Sequence, residues 1–437
     1  MERSGIMQYS FANRVAHLTS SKLRDNAKKV NDKGEVISFA YGYPSTDAFP
    51  MDTLRTISAK MYDEYPPDTF LQYSPTEGYA PLRELIKKRL AQYSGIESDD
   101  DVMIVSGSTQ GMDLAVKVLC NEGDVVLCED QTFSGAVKAV QSYGVTALPV
   151  PMDLDQESMD LDALEHILQT TPNVKMIYVI PTFQNPLGTS MSLDKRKALY
   201  EIAQKYDVLI FEDDPYGELL YTGEPIAKIK SMDTDGRVIY SGSFSKVLAP
   251  STRLGFVMAS GELMRKLIVA KQVVDSHSNY YWQVLLAEFI ENYDFQSHVE
   301  YLKKLYRGKA KAMIDALDKI PSTTLRYIRP TGGYFIGCHM ADDIDPERFY
   351  DLLSARHVAV IPGDIMSVTG EGYEHDFRLN FTRPSLSEIA EGIAIIGEVL
   401  EESRIGADTD GAFDPENYKE LSLASARLEP AATAIVQ

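Results

Sequence analysis

A chain of 437 residues exceeds one ordinary hydrophobic core, so one large domain with a smaller companion is expected. A formal net charge of −21 opposes polyanions and anionic bilayers and argues against a nucleic-acid or membrane partner. No apolar run approaches a membrane span, and Met1-Glu2-Arg3-Ser4 begins no signal peptide, which makes the cytoplasm the default location. Cys120, Cys128 and Cys338 form no CxxC pair, against both a disulfide framework and a zinc site.

In chain order, residues 1–45 read as an arm. Apolar residues recur there at helical spacing, first Phe11, Val15 and Leu18, then Leu23, Ala27 and Val30, with Thr19-Ser20-Ser21 offering an N-cap to the second set. Arg24 lies in that second set, where a solvated helical face is the ordinary role. Ser38–Pro44 is an apolar run that ends in turn residues; Gly42 and its aromatic neighbours line a pocket entrance there or simply turn the chain. Tyr73–Gly78 is a turn, after which Pro81 opens a helix with Leu82, Leu85, Ile86 and Leu90 on one face.

From Val102 the pattern alternates. Strands are expected at Val102–Val105, Val125–Cys128, Val145–Val150, Val174–Ile180, Val208–Phe211 and Val238–Tyr240, with helical segments Gly111–Leu119, Ser134–Ser142, Leu161–Leu168 and Leu193–Lys205 among them. Such alternation implies an α/β domain with a mostly parallel sheet flanked by helices, which takes ligands at the carboxyl ends of its strands. One long helical stretch, roughly Glu262–Tyr293, and another at Gln296–Leu317 follow. Strand-like and helical segments beyond Pro321 form a smaller α+β unit. The boundaries read 46–295 for the large domain, 296–402 for the small one and 403–437 for a loosely packed acidic tail. From 401 to the end there are eight acidic and three basic residues.

Between Val238 and Gly261 only Lys246 and Arg253 carry a formal charge, both on connections beside apolar segments. A desolvated lysine becomes a usable amine nucleophile, the condition for Schiff-base chemistry with a carbonyl compound, whereas arginine keeps its charge and suits a phosphate. An exposed loop lysine is the bland reading. Other strand ends carry matching groups. Ser106–Gly111, with Ser108 and Thr109, sits between strand and helix, where backbone N–H groups bind anions. Phe133 can stack on a planar ring or merely pack. Asn185, in the turn Pro181–Gly188, can donate into the same crevice or shape the turn. Asp213 and Tyr216 are placed to meet a cationic ring nitrogen and a ring oxygen, with structural capping as the alternative for the aspartate. A phosphate cradle, a stacking ring, an amide, a carboxylate, a phenol, a lysine and an arginine together match the needs of pyridoxal 5'-phosphate.

The set Tyr73–Gly78, Ser106–Gly111, Asn185-Pro186-x-Gly188, Asp213-x-x-Tyr216, Ser243-x-Ser245-Lys246, Arg253-Leu254-Gly255 and Arg378–Phe381 resembles the fold-type I pyridoxal-phosphate-dependent aminotransferases of class I/II, over roughly residues 10–400. Within that group the chain is similar to the 2-aminoadipate and kynurenine aminotransferases. The resemblance implies that Lys246 forms the Schiff base with the cofactor and that Asp213 pairs with its ring nitrogen. Asn185 and Tyr216 would bond the ring 3′-oxygen, and Phe133 would stack on the ring. Ser108, Thr109, Ser243, Ser245 and Arg253 would hold the phosphate, and Tyr73 would reach the phosphate of a neighbouring subunit in a homodimer. Arg378 would grip the substrate α-carboxylate, Gly42 would border the substrate, and Arg24 would read its side chain. The reaction implied is transfer of an amino group from an amino acid to a 2-oxo acid such as 2-oxoglutarate. A lyase, a decarboxylase or a non-catalytic cofactor-binding effector domain would share the same constellation. Specificity is expected to depend on the surroundings of Arg24, Tyr41–Tyr43 and Met366. Phe133 stands where the family more often has tyrosine, and Leu187 where it has threonine or serine.

Overall fold

Seven apolar strands, each bounded by turn residues, hydrogen-bond into one sheet: β1 (Asp101–Val105), β2 (Val125–Glu129), β3 (Thr146–Val150), β4 (Val174–Val179), β5 (Leu209–Asp214), β6 (Val238–Ser243) and β7 (Gly255–Ala259). The computed structural model describes residues 9–15, 18 and 36–406. Sheet order is β1-β7-β6-β5-β4-β2-β3, and β7 alone runs antiparallel to its neighbours. Near-continuous Val, Ile and Leu in these strands reflects burial on both faces, as a doubly covered parallel sheet requires.

Helices supply the cover. Met103, Val126, Tyr178 and Val257 pack under Ser108–Leu119 and Gly261–Asp275 on one face, while Leu127, Ile177 and Ile210 meet Leu161–Thr170 and Leu193–Lys205 on the other. The long helix expected over Glu262–Tyr293 is two helices, Gly261–Asp275 and Tyr280–Asn292. Ser276 breaks it with φ 62°, and the Asn279 side chain caps the second helix at Trp282 N.

A second, four-stranded sheet runs Leu325–Tyr327, Phe335–Met340, Asp376–Asn380 and Ile361–Pro362, antiparallel throughout, with Phe295–Leu317 and Leu386–Glu402 packed together beside it. Two short strands lie in Val358–Pro362. Val358–Ala359 pairs in parallel with Ile37–Ser38, while Ile361–Pro362 joins Asp376–Asn380. That pairing sets Phe39–Tyr43 alongside Arg378–Thr382: Asn380 N donates to Phe39 O (2.8 Å) and Thr382 Oγ1 to Tyr43 O (2.7 Å). Phe39 is fully buried and packs on Gly392, where a Cβ would come within 2.5 Å of its ring.

At the two ends the sequence reading meets different outcomes. Among its described residues the first helical set holds a short 3-10 turn, Asn13–Val15, while the second set and Arg24 lie outside the described residues. The tail begins tighter than its composition implies: Ser403 is fully buried, and Arg404 pairs with Asp343 and Glu401; residues 407–437 lie outside the described residues. No helix among the described residues is long and apolar enough to cross a membrane.

Candidate active site

The antiparallel β7 starts where β1 and β6 end, Gly255 facing both Val105 and Ser243. The connection carrying Lys246 and Arg253 is thereby folded over the carboxyl edge of the sheet, beside the turns that follow β1, β2 and β4. Side-chain room at this crossing is minimal. A Cβ on Gly255 would lie 2.9 Å from Gly242 O, and one on Gly107 (φ 87°) would lie 2.4 Å from Arg253 Nη2.

The resulting cavity, about 470 Å3, is lined by Gly42, Ser108, Thr109, Phe133, Asn185, Asp213, Tyr216, Ser243, Ser245, Lys246 and Arg253 among others. Eleven of the fourteen residues singled out in the sequence therefore meet in one place. Two expectations about local structure are adjusted: Asp213 lies within β5 rather than after it, and Ser243 is the last residue of β6. Tyr73 does not join the cavity of its own chain; it is 83% exposed, with its ring edge-on to His277. Arg378 stands just behind the lining, its Nη1 donating to Asn185 Oδ1 (2.8 Å) and its Nη2 to Ala40 O (2.7 Å).

Lys246 Nζ donates to Gly42 O at 2.6 Å and lies 5.1 Å from the centre of the Tyr334 ring and 5.7 Å from that of Tyr216. Desolvation by these walls, and then the positive charges of Arg378 and Arg253, push its pKa down to about 7. Asp213 is the counterpart. Burial pushes its carboxyl up to about 7, against the hydrogen bond it accepts from the Tyr178 hydroxyl (2.8 Å). Its other oxygen, Oδ1, is buried and has no hydrogen-bond partner among the described residues. An unpaired buried carboxylate oxygen costs free energy unless a donor or cation meets it.

In the same cavity wall, the helix Ser108–Leu119 opens with Ser108 and Thr109 in its first turn and Arg253 lining the cavity, a helix N-terminus and a cation suited to an anion. Ser243 Oγ accepts from Ser245 N (3.2 Å), holding the two hydroxyls on the same wall. A cationic ring nitrogen at Asp213, a phosphate at Ser108–Arg253 and a carbonyl carbon at Lys246 describe a phosphorylated pyridine aldehyde, so the residues present fit pyridoxal phosphate.

Three contributors escape the sequence reading. Tyr178 orients Asp213 from the adjacent strand. Tyr334, which donates its hydroxyl to Lys246 O (3.1 Å), walls the amine. Glu129, fully buried at the end of β2, accepts from Gln184 Nε2 (3.0 Å) and Thr132 Oγ1 (3.3 Å) and so braces the turn that holds Asn185; burial pushes its carboxyl up to about 8. Period-two alternation puts Tyr178 on one face of its strand, but no local signal gives the strand-to-strand pairing that puts it beside Asp213.

Comparison with known proteins agrees with this geometry. The model of the family "Aminotransferase class I and II" matches residues 35–396. The aromatic-amino-acid aminotransferase 1 of Thermococcus litoralis is 35% identical over 397 residues, covering 90% of this chain and 94% of the relative. The Pyrococcus horikoshii kynurenine aminotransferase, solved in complex with PMP, superposes with a TM-score of 0.85 at 36% identity, over 90% of this chain and 97% of that one. The α-aminoadipate aminotransferase of Thermus thermophilus, solved with N-(5'-phosphopyridoxyl)-L-leucine, gives a TM-score of 0.80 at 34% identity, over 90% and 97% of the two chains. The chain belongs to the class I and II aminotransferases, enzymes that transfer amino groups with pyridoxal phosphate as cofactor.

Proposed function

We propose that Lys246 is the residue that holds pyridoxal phosphate covalently and carries the proton that amino-group transfer requires. The observation that carries this reading is the presence in one cavity of a desolvated lysine amine and a buried aspartate with one oxygen that has no hydrogen-bond partner among the described residues. Asp213 takes the ring nitrogen, Phe133 covers the ring face, and Asn185 and Tyr216 meet the ring 3′-oxygen. Ser108, Thr109, Ser243, Ser245 and Arg253 surround the phosphate. When bound, the cofactor supplies an electron-accepting ring and an aldehyde carbon that carries the amino group between substrates.

Once released from the cofactor by the incoming substrate amine, Lys246 Nζ, with its pKa near 7, would take the proton from the substrate Cα, and the Tyr216 and Tyr334 rings would keep water from the amine. The Asp213 carboxylate would stabilise positive charge at the ring nitrogen and so favour the electron-accepting character that the ring supplies. Arg378 receives the α-carboxylate. Its guanidinium is buried over the Phe335 ring (4.2 Å), and its Nε has no partner among the described residues. Gly42, whose carbonyl holds Lys246, borders the substrate.

The donor in this reading is an amino acid and the acceptor a 2-oxo acid, with 2-oxoglutarate the first to test. Two subunits would share their sites, with Tyr73 reaching the neighbour's phosphate; the exposure of Tyr73, Leu71 and Tyr62 supports a covered face there. Residues 46–295 and 296–402 act as large and small domains in this reading, the arm 1–45 serves the substrate site through Arg24, and the enzyme works in the cytoplasm. Recording the visible spectrum of the purified protein while single amino acids are added tests the proposal. Conversion to the pyridoxamine form with release of oxo acid and no ammonia supports it. Release of ammonia or carbon dioxide would point to a lyase or a decarboxylase.

A further inference from the structure

Beside the turn that leads into the helix Ser108–Leu119 lies a polar cluster whose members do not line the cavity. It joins Lys271 and Asp275, at the end of the helix Gly261–Asp275, to Ser278 in the break that follows and to Ser106 and Gln110 on either side of Gly107–Thr109. Lys271 is fully buried. Its Nζ donates to Asp275 Oδ1 (2.8 Å), Gln110 Oε1 (2.9 Å) and Ser278 Oγ (3.0 Å), which uses all three ammonium hydrogens. The remaining hydrogens fall into place without conflict. Ser278 gives its hydroxyl hydrogen to Ser106 Oγ (3.0 Å), Ser106 gives its own to Asp275 Oδ2 (3.3 Å), and Gln110 Nε2 donates to the same oxygen (2.8 Å).

A strained turn delivers Ser278 to this cluster. Ser276 has φ 62° and ψ −54°, and His277 N donates to Asp275 O (2.7 Å) across it, a three-residue turn that side chains rarely adopt. The other end of the cluster reaches the cavity through one residue. Ser106 is held by its N, which donates to Gln110 Oε1 (2.7 Å), and by its Oγ; its O accepts from Arg253 Nη2 (2.9 Å). The residue fastened to Lys271 on one side therefore carries, on the other, a cation that lines the cavity. Enclosing an ion pair this completely adds little net stability, because desolvation offsets the attraction. What it does provide is a fixed position for Ser106 and for the first turn of the helix.

We infer that Lys271 is a positioning residue for the cofactor phosphate. Through Asp275, Gln110 and Ser278 it fixes Ser106, and so holds Arg253, Ser108 and Thr109 in the arrangement that receives the anion. A seat ordered in advance binds more tightly because binding no longer bears the cost of ordering it. This rests on the proposed placement of the phosphate at Ser108, Thr109 and Arg253.

The test compares the affinities of the cofactor-free protein for pyridoxal phosphate and for pyridoxal, which has the same ring and aldehyde but no phosphate. Fluorescence quenching gives both, and their ratio isolates the phosphate. Lys271→Met should lower the ratio about tenfold or more, with the phosphorus NMR resonance of the bound cofactor moved toward that of free pyridoxal phosphate. Ser278→Ala, which leaves the ion pair in place, should lower the ratio about fivefold. A lower Tm with an unchanged ratio in Lys271→Met overturns the inference and leaves the ion pair a packing role. If Lys271→Met does not fold, Ser278→Ala decides, and a ratio equal to that of the wild type overturns the inference. Arg253→Gln separates the underlying reading. If that change leaves the ratio unmoved, the phosphate sits elsewhere and the placement itself fails. If the ratio falls in Arg253→Gln but in neither of the other variants, only the role of Lys271 falls.

Discussion

Tyr178 donates its hydroxyl hydrogen to Asp213 Oδ2 at 2.8 Å and leaves Oδ1 of the same carboxylate buried and without a hydrogen-bond partner among the described residues. The relation follows from strand pairing. Tyr178 in β4 lies opposite Phe211 in β5, and Asp213, two residues beyond Phe211, extends from the same face of the sheet. One oxygen is thus fixed by the protein, and the other faces the position proposed for the cofactor ring nitrogen.

Removing that phenol tests whether Tyr178 positions the carboxylate. Tyr178→Phe keeps the ring packed against Phe211 but takes away a hydrogen bond to a charged group, worth about 1.5–3 kcal/mol. Pyridoxal phosphate affinity, followed by fluorescence quenching, should fall by roughly ten- to a hundredfold, and the pH at which the affinity falls off should move upward because Asp213 is then harder to ionise. An unchanged pH profile with weakened binding would assign Tyr178 a packing role only.

Lys246 gives a sharper test because two consequences separate. Lys246→Ala should lower turnover by at least ~10³-fold, the loss expected when a general base and covalent anchor go together, while the phosphate cradle still retains the cofactor non-covalently. In the wild type, the rate at which cofactor-free protein captures pyridoxal phosphate should rise with pH through a midpoint near 7. Ordinary lysines would put that midpoint near ~10.4. The sign follows from chemistry, since only the neutral amine attacks an aldehyde. A midpoint above 9 would show that the amine is solvated.

Much of this site was legible before the structure because its parts are local. Asn185, Lys246 and Arg253 each sit in a connection with its own signature, Ser108 opens the helix after such a connection, and the alternation of strands and helices places them on one edge. What was not legible depends on contacts between distant segments. Gly42 holds Lys246 through a backbone oxygen, and the contact crosses 204 residues of sequence. Gly42 itself is placed by a two-residue parallel pairing of Ile37–Ser38 with Val358–Ala359, too short to give a periodic signal. The break at Ser276 was missed although the sequence marks it: Asp275–Asn279 is five polar residues in a row, and Asn279 is a capping residue for the helix that follows.

Arg378 carries a prediction about generality. Because it is proposed to hold the group common to every amino acid, Arg378→Lys should raise KM across aromatic, aliphatic and acidic donors alike, by about a hundredfold, with a smaller change in kcat. Lysine cannot reproduce the paired bonds to Asn185 Oδ1 and Ala40 O, so some loss of Tm is also expected. A KM increase confined to acidic donors would move Arg378 from the α-carboxylate to the side chain.

The raised pKa of Asp213 also makes the stability of the cofactor-free protein depend on pH. An unfolded aspartate titrates near ~3.9, whereas the folded one titrates near 7, so between those values the folded state binds more protons than the unfolded state. Stability then decreases as pH rises from about 4 to about 7, because unfolding releases the carboxyl to ionise in water. Asp213→Asn abolishes this contribution: its Tm should fall less steeply than the wild type's over that window, with both proteins free of cofactor. Glu129 contributes in the same direction up to about pH 8, so Glu129→Gln should flatten the upper part of the same curve. Adding pyridoxal phosphate should flatten the wild-type curve and leave Asp213→Asn nearly unaltered, since a cation at Oδ1 favours the ionised carboxylate in the folded state. Equal slopes for wild type and Asp213→Asn would mean that the carboxyl is already ionised at about pH 4, and that Oδ1 has a partner in solution.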